Sequence, residues 1–133
     1  MGKSATERLN QKKAPKKVVL EKDFAGIKAG MLMLVGTPQM VDGYIRKIPA
    51  GETRTMVRLR NELARRNKCD ATCPVSTAIF VRVAAQAAIE DMESGTDVAD
   101  ITPFWRVVGP DDKIAGKLSV DRQWIEHQRA MEQ

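Results

Sequence analysis

The chain has 133 residues, a formal net charge of +5 and only 5% aromatic residues. That length fits one domain large enough to bury a core without disulfides or a structural metal, with Ala, Val, Ile, Leu and Met building most of it. No run reaches the ~18 apolar residues of a membrane span, and the opening MGKSATERLNQKKAPKK lacks the apolar stretch of a secretory leader, so the sequence reads as cytoplasmic, with no membrane partner.

Met1-Gly2 opens like a myristoylation signal, which nothing further along supports. Residues 1–23 form a basic arm. Lys3, Arg8, Lys12, Lys13, Lys16, Lys17 and Lys22 stand against Glu7, Glu21 and Asp23, nearly the whole excess charge of the chain. Such a composition predicts a solvated, disordered segment that adds salt-sensitive attraction wherever phosphates come near. The folded domain is expected over residues 24–133. Residues 24–36 are apolar but broken by Gly26, Gly30 and Gly36, which predicts an extended lead-in with a short strand around Met31–Val35.

Thr37-Pro38 then signals a helix start, an N-cap oxygen followed by a proline at the first helical position. Met40, Val41, Tyr44, Ile45 and Ile48 follow at helical spacing, and Pro49-Ala50-Gly51 ends the run. A second helix opens after Thr55, with Met56, Leu59, Leu63 and Ala64 on one face. Arg54, Arg58, Arg60, Arg65, Arg66 and Lys68 accompany it against the single Glu62, the densest basic stretch of the folded part. It is either a solvated face or one turned toward phosphates.

Pro74 opens a third helix running to about Glu93. Its middle, AIFVRVAAQAAI, is apolar nearly all round and should be mostly buried, with Arg82 and Gln86 as interruptions. The acidic Glu90-Asp91-Met92-Glu93 sits at the negative end of the helix dipole and would repel phosphate, so any DNA contact falls to the N-terminal half. Ile101–Val108 and Lys113–Gly116, joined by Gly109-Pro110-Asp111-Asp112, predict a β-hairpin. A last helix runs from about Val120, with Trp124 turned inward. The fold class expected is mainly α with a small β-hairpin, in the order of a winged helix-turn-helix.

Cys69, Cys73 and the lone His127 are too few for a four-ligand zinc site, and no metal or cofactor is expected. A cysteine beside a helix start can carry an activated thiolate, but Cys73 has no base close in sequence. A small buried apolar role is the stronger reading.

From Tyr44 onward the chain resembles the C-terminal domain of the alkylguanine-DNA alkyltransferases and of their catalytically silent alkyltransferase-like relatives. Ile48-Pro49-Ala50-Gly51 resembles the family's IP-x-G turn, and Thr53-Arg54-Thr55-Met56 its VTTY segment. Val83-Ala84-Ala85 resembles the AVGGA core of the recognition helix. Ile101-Thr102-Pro103-Phe104-Trp105-Arg106-Val107-Val108 resembles IPCHRVV, Asp112-Lys113-Ile114-Ala115-Gly116 the following DGKLxG, and Asp121-Arg122-Gln123-Trp124 the closing KRxLLxxEG.

The resemblance also marks what is missing. Alkyl transfer needs a thiolate with an activating base, and the positions that match the family's cysteine and histidine are Phe104 and Trp105. A phenyl carbon accepts no alkyl group, and indole is a donor without basic character. The family's phosphate-turning tyrosine matches Met56. Its finger arginine matches Val81, or Arg82 with a register slip of one, and its hinge asparagine has no clear match. Residues 89–100 are longer and more acidic than the family's linker.

The resemblance therefore implies a non-enzymatic protein whose partner is double-stranded DNA, sensing alkylated or damaged bases, with a repair protein as a further partner. The residues expected at DNA are Arg54, Thr55, Met56, Arg58, Arg82 and Arg106, with Phe104 and Trp105 lining whatever pocket survives. Core packing of those two rings is the competing expectation. A protein-interaction module on the same fold, with no DNA activity, is the alternative function.

Overall fold

The computed structural model describes residues 4–133; Met1-Gly2 and Lys3 of the arm lie outside the described residues. The chain is mainly helical with one small sheet. In order it forms α1 (Ala5–Leu9), β1 (Lys16–Val19), β2 (Leu32–Val35), α2 (Pro38–Arg46), α3 (Met56–Arg66), β3 (Ala71–Thr72), α4 (Pro74–Glu93) and α5 (Arg122–Met131). Three single 3-10 turns, Val98–Asp100, Phe104–Arg106 and Ala115–Lys117, lie between α4 and α5.

Local chemistry sets the helix starts. Thr37 Oγ1 accepts the Met40 N–H at 3.1 Å, Thr55 Oγ1 accepts that of Arg58 at 3.0 Å, and Asp121 Oδ1 accepts that of Trp124 at 2.9 Å. Each side chain satisfies one of the donors that a helix leaves unpaired in its first turn. Pro38 and Pro74 occupy first positions, where the missing N–H costs nothing. Gly51, at φ +87°, turns the chain between α2 and α3 in a conformation that suits glycine.

The core is built on α4. Val81, Ala84, Ala85, Ala88 and Ile89 bury themselves against Val41 and Ile45 of α2, Leu59 and Leu63 of α3, Leu34 of β2 and Ile125 of α5. Alanines at the centre let neighbouring helices approach closely, which is how a chain poor in aromatics still packs densely. β2 is the middle strand, antiparallel to β1 and parallel to β3, with Val18 opposite Met33 and Leu34 opposite Thr72. Its two faces split as a strand's must: Leu34 enters the main core, while Met33 joins Ile27 and Cys73 in a smaller cluster on the other side.

The expected hairpin over 101–116 does not form. Ile101 through Trp105 are all buried, as are Val107 and Val108, so the alternation of a half-exposed strand is absent. Residues 101–109 are instead taken into the core, apart from half-buried Arg106, while Asp111, Asp112, Lys113 and Gly116 stay exposed. Phe104 N bonds Thr102 O at 2.8 Å, and both Val107 N (3.0 Å) and Val108 N (2.8 Å) bond Phe104 O, turning the backbone into a 3-10 coil. Asp112 Oδ2 takes the Gly109 N–H at 2.7 Å and closes the next turn.

Residues 4–23 of the basic arm are mostly exposed to solvent, yet carry regular elements where a disordered segment was expected. They form α1, docked on α4, and the edge strand β1. Glu90 of α4 holds α1 in place. Its carboxylate accepts the Ala5 N–H at 3.2 Å, the Thr6 N–H at 2.9 Å and the Thr6 hydroxyl at 2.8 Å. An acidic end that is unfavourable for α4 alone thus caps the positive end of another helix.

Candidate nucleic-acid interface

α3 and α4 are consecutive helices joined by residues 67–73; of the six predicted DNA contacts, Thr55, Arg58 and Arg82 on these helices are exposed, while Arg54, Met56 and Arg106 are half-buried. Thr55 caps α3, and Arg54, Thr55 and Met56 border one shallow groove of about 330 Å³ with Val57, Val107 and Arg129. Arg58 lies one turn further along α3, and Arg82 is exposed midway along α4.

Arg106 is not part of this surface. Its guanidinium bonds Ile48 O at 2.7 Å and pairs with Glu132 at 2.6 Å, largely out of solvent. Burial pushes the Glu132 carboxyl up, but the Arg106 guanidinium, the neighbouring Trp105 indole and the Gly51 N–H outweigh it and hold the group below the usual carboxylate range. Arg106 O in turn accepts the Arg54 N–H at 2.7 Å, tying the entry of α3 to the coil.

Two further predicted contacts are partly neutralised. The Arg54 guanidinium pairs with Glu52 at 2.9 Å, and Arg58 with Glu62 at 3.0 Å. Glu62 also accepts the Tyr44 hydroxyl. The Tyr44 hydroxyl and Arg58 together hold the Glu62 carboxyl low, while burial and the adjacent carboxylate push the Tyr44 phenol up to about 12. Arg66 covers the same ring, its guanidinium carbon 5.2 Å from the centroid. Among the described residues Arg65, Lys68 and Arg82 make no ion pair and stand exposed.

Reading α4 as apolar nearly all round, interrupted by Arg82 and Gln86, missed that Val75 and Ile79 lie on the same outward stripe. Val75, Ile79, Arg82 and Gln86 recur at helical spacing. Val75 is 53% and Ile79 46% exposed, and Val57 of α3, also exposed, adds to the large apolar side chains left in solvent. The period was visible in the sequence, but two β-branched residues within it looked like core. Gln86 closes the stripe by pairing with Ser119 through both amide atoms, at 2.7 and 3.1 Å.

Phe104 and Trp105 sit in the core. Phe104 is 0% exposed and stacks on Trp124 at 5.7 Å with a 14° interplanar angle, and Trp105 meets both rings edge-on. Trp105 borders a cavity of about 680 Å³ formed with residues 97–101, Pro103, Arg106, Arg46 of α2 and the end of α5. Cys73 is buried, and the Cys69 thiol contacts Asn67 O at 3.5 Å. Among the described residues no group of acidic, cysteine and histidine side chains could hold a metal, and no helix is long and apolar enough to cross a membrane.

No protein family, curated protein or solved structure matches the chain.

Proposed function

We propose that the protein binds double-stranded DNA without catalysing a reaction on it, using α3 and α4 as a helix-turn-helix pair of the alkyltransferase-like kind. The observation that carries this reading is the unpaired, exposed basic set on this helix pair: Arg65 and Lys68 at the α3 end of the connection, and Arg82 midway along α4 on its outward stripe. In such an arrangement Arg65 and Lys68 meet phosphates, with the Thr55–Arg58 end of α3 alongside, and Met56 faces the sugar edge. Val75, Ile79 and Arg82 enter a groove, where apolar side chains read thymine methyl groups and arginine reads guanine.

The place of a wing falls to the mostly exposed turn over residues 110–117. Phe104 belongs to the core in this reading, while Trp105, though buried, borders the cavity beside residues 97–101; sensing of a damaged base would proceed through that cavity or the groove beside Met56. Arg54 and Arg106 hold the scaffold together.

Titration of a fluorescein-labelled duplex at low salt tests the proposal. Replacing Arg65, Lys68 and Arg82 together by glutamine should weaken binding at least tenfold, and Arg54→Gln should leave it within about twofold. Loss of three phosphate-facing charges is sufficient for such a drop. Equal binding by the triple variant and the unmodified chain would refute the assignment of this face.

A further inference from the structure

We infer that β1 is a docking edge for an extended acidic peptide, a partner segment that joins the sheet as its fourth strand. β1 pairs with β2 on one side only. The Leu20 N–H bonds Met31 O across that ladder at 3.0 Å. Antiparallel strands alternate bonded and non-bonded residues, so Val18 and Lys16 also face β2. Lys17 and Val19 therefore turn their N–H and C=O groups to the open side.

Two further features lie along the same edge. Val18 (41% exposed), Phe24 (41%) and Met33 border a groove of about 530 Å³, and Val19 beside them is 61% exposed. Glu21, Lys22 and Asp23 line it too, but Asp23 is engaged by Lys28 at 3.6 Å and by the Ala29 N–H at 2.8 Å, so Glu21 and Lys22 offset each other and the edge lysines set the local charge. Solvent-exposed apolar groups gathered along an unpaired edge are what strand addition buries, with pockets taking alternate side chains. Lys12, Lys13, Lys16 and Lys17 flank the edge, and among the described residues none of them makes an ion pair. Edge lysines repel a second copy of the same edge, which argues against self-pairing. A nucleic acid would use the lysines but neither the outward amides nor the apolar groove. An extended segment alternating acidic and apolar residues satisfies all three.

A fluorescein-labelled peptide of alternating Glu and Val, added to the full chain, tests this by anisotropy. Saturable binding is expected. Val19→Pro removes one outward N–H while leaving the β1–β2 ladder bonds, and should weaken binding about tenfold, the scale of one lost hydrogen bond. Val19→Thr keeps that donor and should bind within twofold. Lys16→Glu with Lys17→Glu should weaken binding more than tenfold with an unchanged melting temperature, which separates docking from folding. Four results overturn the inference: no peptide binding; equal binding by Val19→Pro; displacement of the peptide by a duplex oligonucleotide; or a dimer in sedimentation that Val19→Pro dissociates.

Discussion

Arg106 turns its guanidinium inward, where sequence alone had assigned it to DNA. Its hydrogen bond to Ile48 O and its pairing with Glu132 join the end of α2, the coil after residue 101 and the end of α5. Arg106→Ala leaves a half-buried carboxylate and a carbonyl without their donor, so a loss of about 2–3 kcal/mol in urea unfolding is expected. A change under 0.5 kcal/mol would show the pair to be ornamental. Phe104 has a different kind of importance. It fills the centre of a three-ring cluster at full burial, and Phe104→Ala should cost about 3–5 kcal/mol through the cavity it leaves. An open pocket wall would tolerate the same truncation with little change in the unfolding midpoint.

Helix starts were legible in the sequence because they depend on one or two residues. Thr37-Pro38 and Thr55 act as read, each hydroxyl accepting the N–H three residues on. Thr55→Ala should therefore cost about 1 kcal/mol, seen as a lowered melting temperature. The hairpin over 101–116 was misread because β-propensity is a statement about a half-buried surface. Trp105, Val107 and Val108 are buried on every side, and tertiary packing overrode the local preference.

α1 was invisible for another reason: its anchor, Glu90, lies more than eighty residues away. Burial alone would raise the Glu90 carboxyl, but the Thr6 N–H and hydroxyl and the Ala5 N–H outweigh it and hold the group low. A depressed folded-state value means that the contribution is complete above the unfolded carboxylate range and disappears as pH falls through the folded value. Docking of α1 should thus be intact at pH 7 and lost under acid conditions. Glu90→Gln should speed amide exchange in residues 5–9 at pH 7 while leaving α4 protected. Unchanged exchange would show that packing, not the carboxylate, holds α1.

At the scale of the molecule, basic charge and exposed apolar groups gather in two places. The α3–α4 pair carries Arg65, Lys68 and Arg82 with Val75 and Ile79, and β1 and the residues before it carry Lys12, Lys13, Lys16 and Lys17 with Val18, Val19 and Phe24 close by. The net charge alone pointed to the arm. The second basic set emerged only once Arg54, Arg58 and Arg106 were seen to be engaged by Glu52, Glu62 and Glu132, leaving other arginines free. Two of these pairings are local, Arg54 with Glu52 and Arg58 with Glu62 one helical turn on, and could have been read from the sequence; only the Arg106–Glu132 pair joins residues distant in sequence, and no local pattern encodes it.

The salt dependence of duplex DNA binding tests the central claim most directly. A face that neutralises three or four phosphates should give a plot of log association constant against log salt with a slope of about −3, flattened by about one for each of Arg65, Lys68 and Arg82 replaced by glutamine. Binding that is absent at low salt, or present with a slope near zero, would contradict the account.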